Sequence, residues 1–412
     1  MDDDDAPRSP SMNDSTKTTI AVLVALVAVL IVAGIGVATV RDATETLRKA
    51  TATTATTAPG RATPAGADLA AEQARAVEEM KAQVAEIRGL PWKASLPIRV
   101  LSQEELAQRV RELNAKDIAE NRAEIEAEEA VLKLLKLIPK DLDYVKAIDD
   151  LLAGLVVGLY DDETKELFVS GRSGPPDAAT RAVLAHELTH ALTDQHFEFG
   201  PRIKALDDED RAEEAFAFTA LVEGDANLVE ELWKERHLTD RERLQAASAG
   251  SEAAGRALAQ APRYILSSLR FPYEEGLTFV RTLHGAGGFA EVDNAYRRPP
   301  TSTEHILHPE TYVSGQGWAA PPLPDLAAAT GCGKVDAGTL GEFDMTELLA
   351  EEINRGDARK AAAGWNGDAY AVVRCGTALG LANRWQADDA GEAGELADAL
   401  IRWARGWSGS SR

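Results

Sequence analysis

Residues 175–197 read PPDAATRAVLAHELTHALTDQHF and contain His186-Glu187-Leu188-Thr189-His190, the pattern H-E-x-x-H. The segment Pro175-Pro176-Asp177 opens a helix, with proline where a missing N–H is harmless, and the helix is expected to run on through Gln195. Residues four apart on a helix share a face, so both imidazoles can grip one ion. Glu187, beside the first histidine, can reach a water on that ion without being a ligand. Zinc lowers the pKa of such a water towards about 7, and a carboxylate then takes its proton as hydroxide attacks a polarised carbonyl. Glu187-x-x-His190 is also the E-x-x-H of a di-iron bundle. Such a site needs a second copy, and none of the other five histidines has a glutamate three residues before it.

A zinc site needs a third protein ligand, and two residues offer themselves. His196 lies ten residues after His186, the spacing of H-E-x-x-H-x-x-G-x-x-H, but the glycine position holds Thr193. A β-branched residue disfavours the left-handed turn that would swing His196 round. The only later methionine, Met345, lies in a helix-like stretch rather than a turn. Glu223 sits among Leu221, Val222, Ala226, Leu228 and Val229 on a second long helix expected over about 208–236. An acid in such an apolar stretch needs a compensating charge, which a zinc ion supplies, so Glu223 is the favoured ligand. Asn227 or Asp225 would take the second ring N–H of a ligating histidine.

HELTH followed by Glu223-Gly224-Asp225-Ala226 resembles the gluzincin class of zinc metallopeptidases, over about residues 155–235. The resemblance implies His186, His190 and Glu223 as zinc ligands, Glu187 as general base, and a polypeptide as substrate. It also implies an α+β fold: a small mixed sheet whose edge strand, Leu167 to Ser170, binds extended substrate, together with active-site helices and a mostly helical C-terminal lobe. The 32 residues between His190 and Glu223 exceed the usual gluzincin spacing, and the chain has no motif that captures a free substrate amine. Cleavage at ends or in interiors stays open. A non-catalytic envelope protein on the same fold, binding a polypeptide, is the rival reading.

Hydrolysis also requires a donor for the developing oxyanion. The stretch PPTSTEHILHPETY (299–312) supplies His305, His308 and Tyr312, and of these His308 and Tyr312 are the preferred catalytic candidates. Tyr160, Tyr264 and Tyr273 remain open.

Outward from the motif, GLVVGLYDDETKELFVSG (154–171) places two β-rich runs around a polar turn at Asp161 to Lys165, a hairpin. Leu96 to Leu101 can add one short strand. Residues 67–89 and 103–137 have helical spacing, the second stretch breaking near Asn114. These helices and the catalytic lobe form a unit over 67–240, and 241–412 form a C-terminal lobe. That lobe holds a helical region (241–285), a Pro-rich connection, paired strands in DAYAVVRCGTALGLANRW and a last helix. Cys332 and Cys375 would pair in an oxidising compartment, closing a loop worth about 4 kcal/mol by chain-entropy reasoning.

Thr18 to Val40 carries no charge and is long enough to cross a hydrocarbon core of about 30 Å, so it reads as a single transmembrane helix in the lipid bilayer of the cell membrane. Residues 1–17 read as a disordered tail and 41–66 as a Thr/Ala/Pro linker. Long domains translocate largely regardless of charge, which favours an extracytoplasmic catalytic domain. Across all 412 residues, Lys plus Arg number 44 against 67 Asp plus Glu, a net charge of −23. A field of that sign repels phosphate backbones and excludes nucleic acid as a leading partner. With two cysteines the chain has no Cys-based zinc site, so a metal must sit on histidines and carboxylates.

Overall fold

The computed structural model describes residues 65–155, 158–170, 176–247 and 261–409. Helix α1 (Ala65–Arg88) leads into strand β1 (Ile98–Leu101), then α2 (Gln103–Glu120), α3 (Arg122–Leu134) and α4 (Tyr144–Leu155). A capping box between Ser102 and Glu105 starts α2. The α2–α3 break falls at Asn121 rather than Asn114, because Asn114 is buried and its amide donates to Asp149 on α4 at 3.1 Å. The helix therefore gains by running past it.

The expected hairpin forms from β2 (Gly158–Asp161) and β3 (Glu166–Ser170), paired antiparallel, while β1 joins β3 in parallel. The strand order is β1-β3-β2, which makes Leu167–Ser170 the central strand. The expectation of an edge strand there is corrected: β2 is the edge that faces the motif helix. The hairpin pattern in the sequence determines which two strands pair, but not the side on which a parallel third strand joins.

The motif helix α5 (Ala178–Phe197) is capped by the Asp177 side chain, which accepts the Thr180 N–H at 2.8 Å. After it come α6 (Phe199–Asp208), α7 (Ala212–His237) and α8 (Asp240–Ala247). Every residue of α5 from Ala182 to Asp194 is buried, as is every residue of α7 from Ala215 to Ala226. Helices apolar or buried all round belong at the centre of a fold. Helix α9 (Arg263–Gly287) crosses α7 backbone to backbone. A Cβ on Gly224 would lie 2.2 Å from the Gly276 carbonyl oxygen, and one on Gly276 would lie 2.1 Å from that of Ala220.

Three short helices, α10 (Phe289–Arg297), α11 (Thr303–Leu307) and α12 (Pro309–Ser314), lie in and around the Pro-rich connection, and a fourth, α13 (Leu326–Thr330), leads out of it. The last part contains β4 (Gly333–Gly338), α14 (Gly341–Leu349), α15 (Arg355–Ala362), β5 (Trp365–Cys375), β6 (Ala378–Ala387) and α16 (Ala390–Gly409). Strands β4, β5 and β6 form a second, antiparallel sheet in that order. Buried Asp368 ties this sheet to α14 by accepting the N–H groups of Leu340 and Gly341 and the indole N–H of Trp365. A disulfide joins Cys332 to Cys375.

The fold class expected from sequence is thereby corrected. The described residues form a largely helical molecule with two small three-stranded sheets, one of them in the C-terminal lobe that was expected to be mostly helical. None of the described helices is long and apolar enough to cross a membrane, and the transmembrane reading of residues 18–40 lies outside the described residues.

Candidate metal centre

The two buried helices α5 and α7 bring their acidic and imidazole groups to one point. His186 Nε2 lies 2.9 Å from His190 Nε2 and 3.1 Å from Glu223 Oε2, and His190 Nε2 lies 3.3 Å from the same oxygen. All three residues are at most 5% exposed. His186, His190 and Glu223 thus form a cluster able to hold a metal ion. Lone pairs converging this closely repel one another unless a cation sits between them. Tetrahedral zinc with bonds of about 2.0–2.1 Å sets ligand atoms about 3.3 Å apart, so the donor set and spacing fit that ion.

The electrostatics agree. Burial alone would raise the Glu223 carboxyl, but the His190 and His186 imidazoles outweigh it and hold the group down to about 2. Against the pull of burial, Glu223 and Glu230 carry His186 up to about 10. Without a metal ion, a proton fills the positive role in the cluster.

Glu230 lies seven residues after Glu223, two turns along the same face of α7, with its carboxylate 3.5 Å from His186 Nδ1. It faces the ring nitrogen expected to meet Asn227 or Asp225, although at this separation His186 Nδ1 makes no hydrogen bond. Asn227 instead donates to the Tyr273 carbonyl at 2.9 Å, and Asp225 pairs at 3.0 Å with Arg88, which also binds Asp293 at 2.6 Å. The sequence clue to Glu230 was its seven-residue interval from Glu223, hidden by the charged run around it.

Glu187, on the first turn of the motif, accepts the Tyr160 backbone N–H of edge strand β2 through Oε2 at 2.6 Å. Burial raises its carboxyl, and the two imidazoles lower it less than burial raises it. The hairpin is locked to the same helix by Asp194, which accepts the Tyr160 hydroxyl at 2.8 Å and pairs with Lys165. Strand β2 approaches so closely that a Cβ on Gly158 would lie 3.4 Å from Glu187 Cγ.

Tyr273 on α9 completes the surround. Its ring stacks on His186 with centroids 6.1 Å apart, and its hydroxyl hydrogen-bonds Glu223. Burial, with Glu223 and Glu187 nearby, raises this phenol well above its ordinary value, so it stays protonated. The Gly224–Gly276 crossing makes this approach geometrically possible, since Tyr273 precedes Gly276 by one turn.

The other residues singled out in the sequence lie elsewhere. Helix α5 continues unbroken through Thr193, and His196 bonds the Pro91 carbonyl at 2.7 Å. His308 is held by Glu342 at 2.9 Å, and Tyr312 donates to the Arg298 carbonyl at 2.8 Å. His305 bonds the Gln316 carbonyl, and Tyr264 donates to Asp344. Among the described residues, no hydrogen bond, ion pair or ring contact joins His308 or Tyr312 to the cluster.

Compared with known proteins, residues 328–412 match a domain of unknown function (DUF8575). No curated protein matches the chain, and no solved structure does. The matched segment runs from α13 to the end of the chain and includes both cysteines, whereas His186, His190 and Glu223 all lie outside it.

Proposed function

We propose that this chain is a zinc-dependent peptidase of gluzincin type, with His186, His190 and Glu223 holding the metal. The observation that carries this reading is the convergence of three buried ligand atoms with Glu187 on the same helical turn. When bound, zinc supplies Lewis acidity, acidifying water towards pKa about 7 and polarising a carbonyl. Glu187 is the proton acceptor. Its Oε2 is fixed by the Tyr160 N–H, which leaves Oε1 to take and return a proton. Tyr273, kept protonated, turns its hydroxyl from Glu223 to the developing oxyanion, and Glu230, facing His186 Nδ1, orients that ring. The Cys332–Cys375 bridge supports action in an oxidising compartment.

The test is a pair of variants of the full chain. The wild type should carry about one zinc per chain, and Glu223→Ala should lose most of it. Glu187→Gln should keep zinc and lose cleavage of a mixed peptide library by about 10²- to 10⁴-fold. Zinc retained without Glu223, or full cleavage without Glu187, would refute the assignment.

The burial of the cluster favours one rival, a closed structural metal site in a non-catalytic polypeptide-binding protein. That reading expects stoichiometric zinc, no cleavage in the wild type, and no consequence of Glu187→Gln.

A further inference from the structure

A cavity of about 350 Å³ opens where the C-terminal end of α5 meets α6 and α10. One side of it is aromatic: Phe197 and Tyr296 stack face to face with centroids 4.3 Å apart and planes 9° from parallel. The rest of its wall is basic, with Lys93, Arg202 and Arg297 arranged beside His196.

None of the three cations has a carboxylate partner among the described residues. Arg202 donates through Nη1 to the Tyr296 carbonyl and lies 5.0 Å over the Phe218 ring. Arg297 donates to the Asn294 side chain and lies 6.0 Å over Phe197. Lys93 gives only its backbone N–H, to Gln195. The one acid in the wall, Asp293, is taken by the buried Arg88.

Many of the described cations are paired, as Arg99 is with Glu166, Arg263 with Glu347 and Arg402 with Asp357, while others such as Arg111, Arg236 and Arg241 are not; what sets Lys93, Arg202 and Arg297 apart is that all three line one cavity. With a net charge of −23 it has acids to spare. Three uncompensated cations around one cavity therefore mark a place left open for a negative charge from outside. A guanidinium fork matches the two oxygens of a carboxylate or phosphate, and Lys93 adds a mobile third donor.

We propose that this cavity binds an oxyanion, a carboxylate or a phosphate group, carried on an organic molecule whose apolar part lies against Phe197. The site is independent of the metal assignment.

The test is calorimetric titration of the full chain with benzoate and with phenyl phosphate, at constant ionic strength so that non-specific screening cancels. One-to-one binding is expected, weakened at least about tenfold in Lys93→Gln/Arg297→Gln. Both of those side chains are exposed, so the double variant should unfold at the wild-type temperature. Arg202→Gln should weaken binding similarly. Benzoate binding at least as tightly as phenyl phosphate supports the site and identifies a carboxylate ligand; the reverse order supports the site and identifies a phosphoryl group. No saturable binding of either probe up to about 10 mM, or equal affinity in the double variant, would overturn the proposal.

Discussion

Replacing Gly224 with alanine puts a methyl carbon 2.2 Å from the Gly276 carbonyl oxygen and 2.3 Å from its carbonyl carbon. Both partners are backbone in long helices, so no side chain can rotate out of the way, and α7 and α9 must part by roughly 1 Å to restore an ordinary contact. Over-packing of this kind costs typically about 1–3 kcal/mol, and a backbone-to-backbone clash belongs at the upper end. Alanine returns about 1 kcal/mol of helix propensity, leaving a net loss of about 2 kcal/mol. At about 1–1.5 °C per kcal/mol for a chain of this size, the unfolding temperature should fall by about 2–3 °C. The control is Gly285→Ala on α9, where an added Cβ meets no atom within 4 Å. It carries the same propensity gain without the clash and should unfold slightly higher than wild type. Calorimetric scans of the three proteins decide the matter. Equal shifts in the two variants, or a Gly224→Ala protein as stable as wild type, would refute the crossing as described.

On the proposed peptidase reading, Tyr273→Phe should fold and hold zinc but lose about 10²- to 10³-fold in kcat with little change in KM; an unchanged kcat would remove Tyr273 from the chemistry. Because the metal-free cluster holds a proton on His186 up to a pKa of about 10, zinc must displace that proton. Apparent zinc affinity, measured against a chromophoric chelator, should therefore rise about tenfold per pH unit between pH 7 and 9, and a flat profile would contradict the coupled cluster. Away from the metal, Asp344 is pushed up to about 7 and Glu304 to about 8, in both cases chiefly by burial. Their folded pKa values exceed the unfolded ones of about 4, so the folded state binds more protons across that interval, and stability should fall as pH rises from about 5 to 8. An unfolding temperature that climbs over the same range would count against this.

The convergence of His186, His190 and Glu223 was legible because its elements are local. Two histidines one turn apart need only a helix, and Glu223 stood out as an acid in an apolar stretch. The surrounding residues were harder to find. Glu230 sits in a charged run, EELWKER, whose pattern resembles any solvent-facing turn, and nothing short of the helix register shows that it points at His186. Tyr273 comes from α9, some fifty residues beyond Glu223, and its approach depends on two glycines meeting, a pairing that no single stretch of sequence displays. His308 and Tyr312 were attractive because of their density of polar groups, but Glu342 and the Arg298 carbonyl satisfy them where they stand. In the sheets, alternation revealed the hairpin but left strand order undetermined.

Arg88 closes α1 with its side chain buried between Asp225 on α7 and Asp293 on α10, its guanidinium 4.7 Å over Phe289. Asp225 is two residues from Glu223, so the first described helix is a strut braced against α7, which carries Glu223. A fragment cut after Arg88 would leave Asp225 charged and unanswered in the interior, at a cost of about 3–5 kcal/mol. This part of the fold therefore has a floor on how far it can be shortened, and that floor lies upstream of Arg88, nearly a hundred residues before His186.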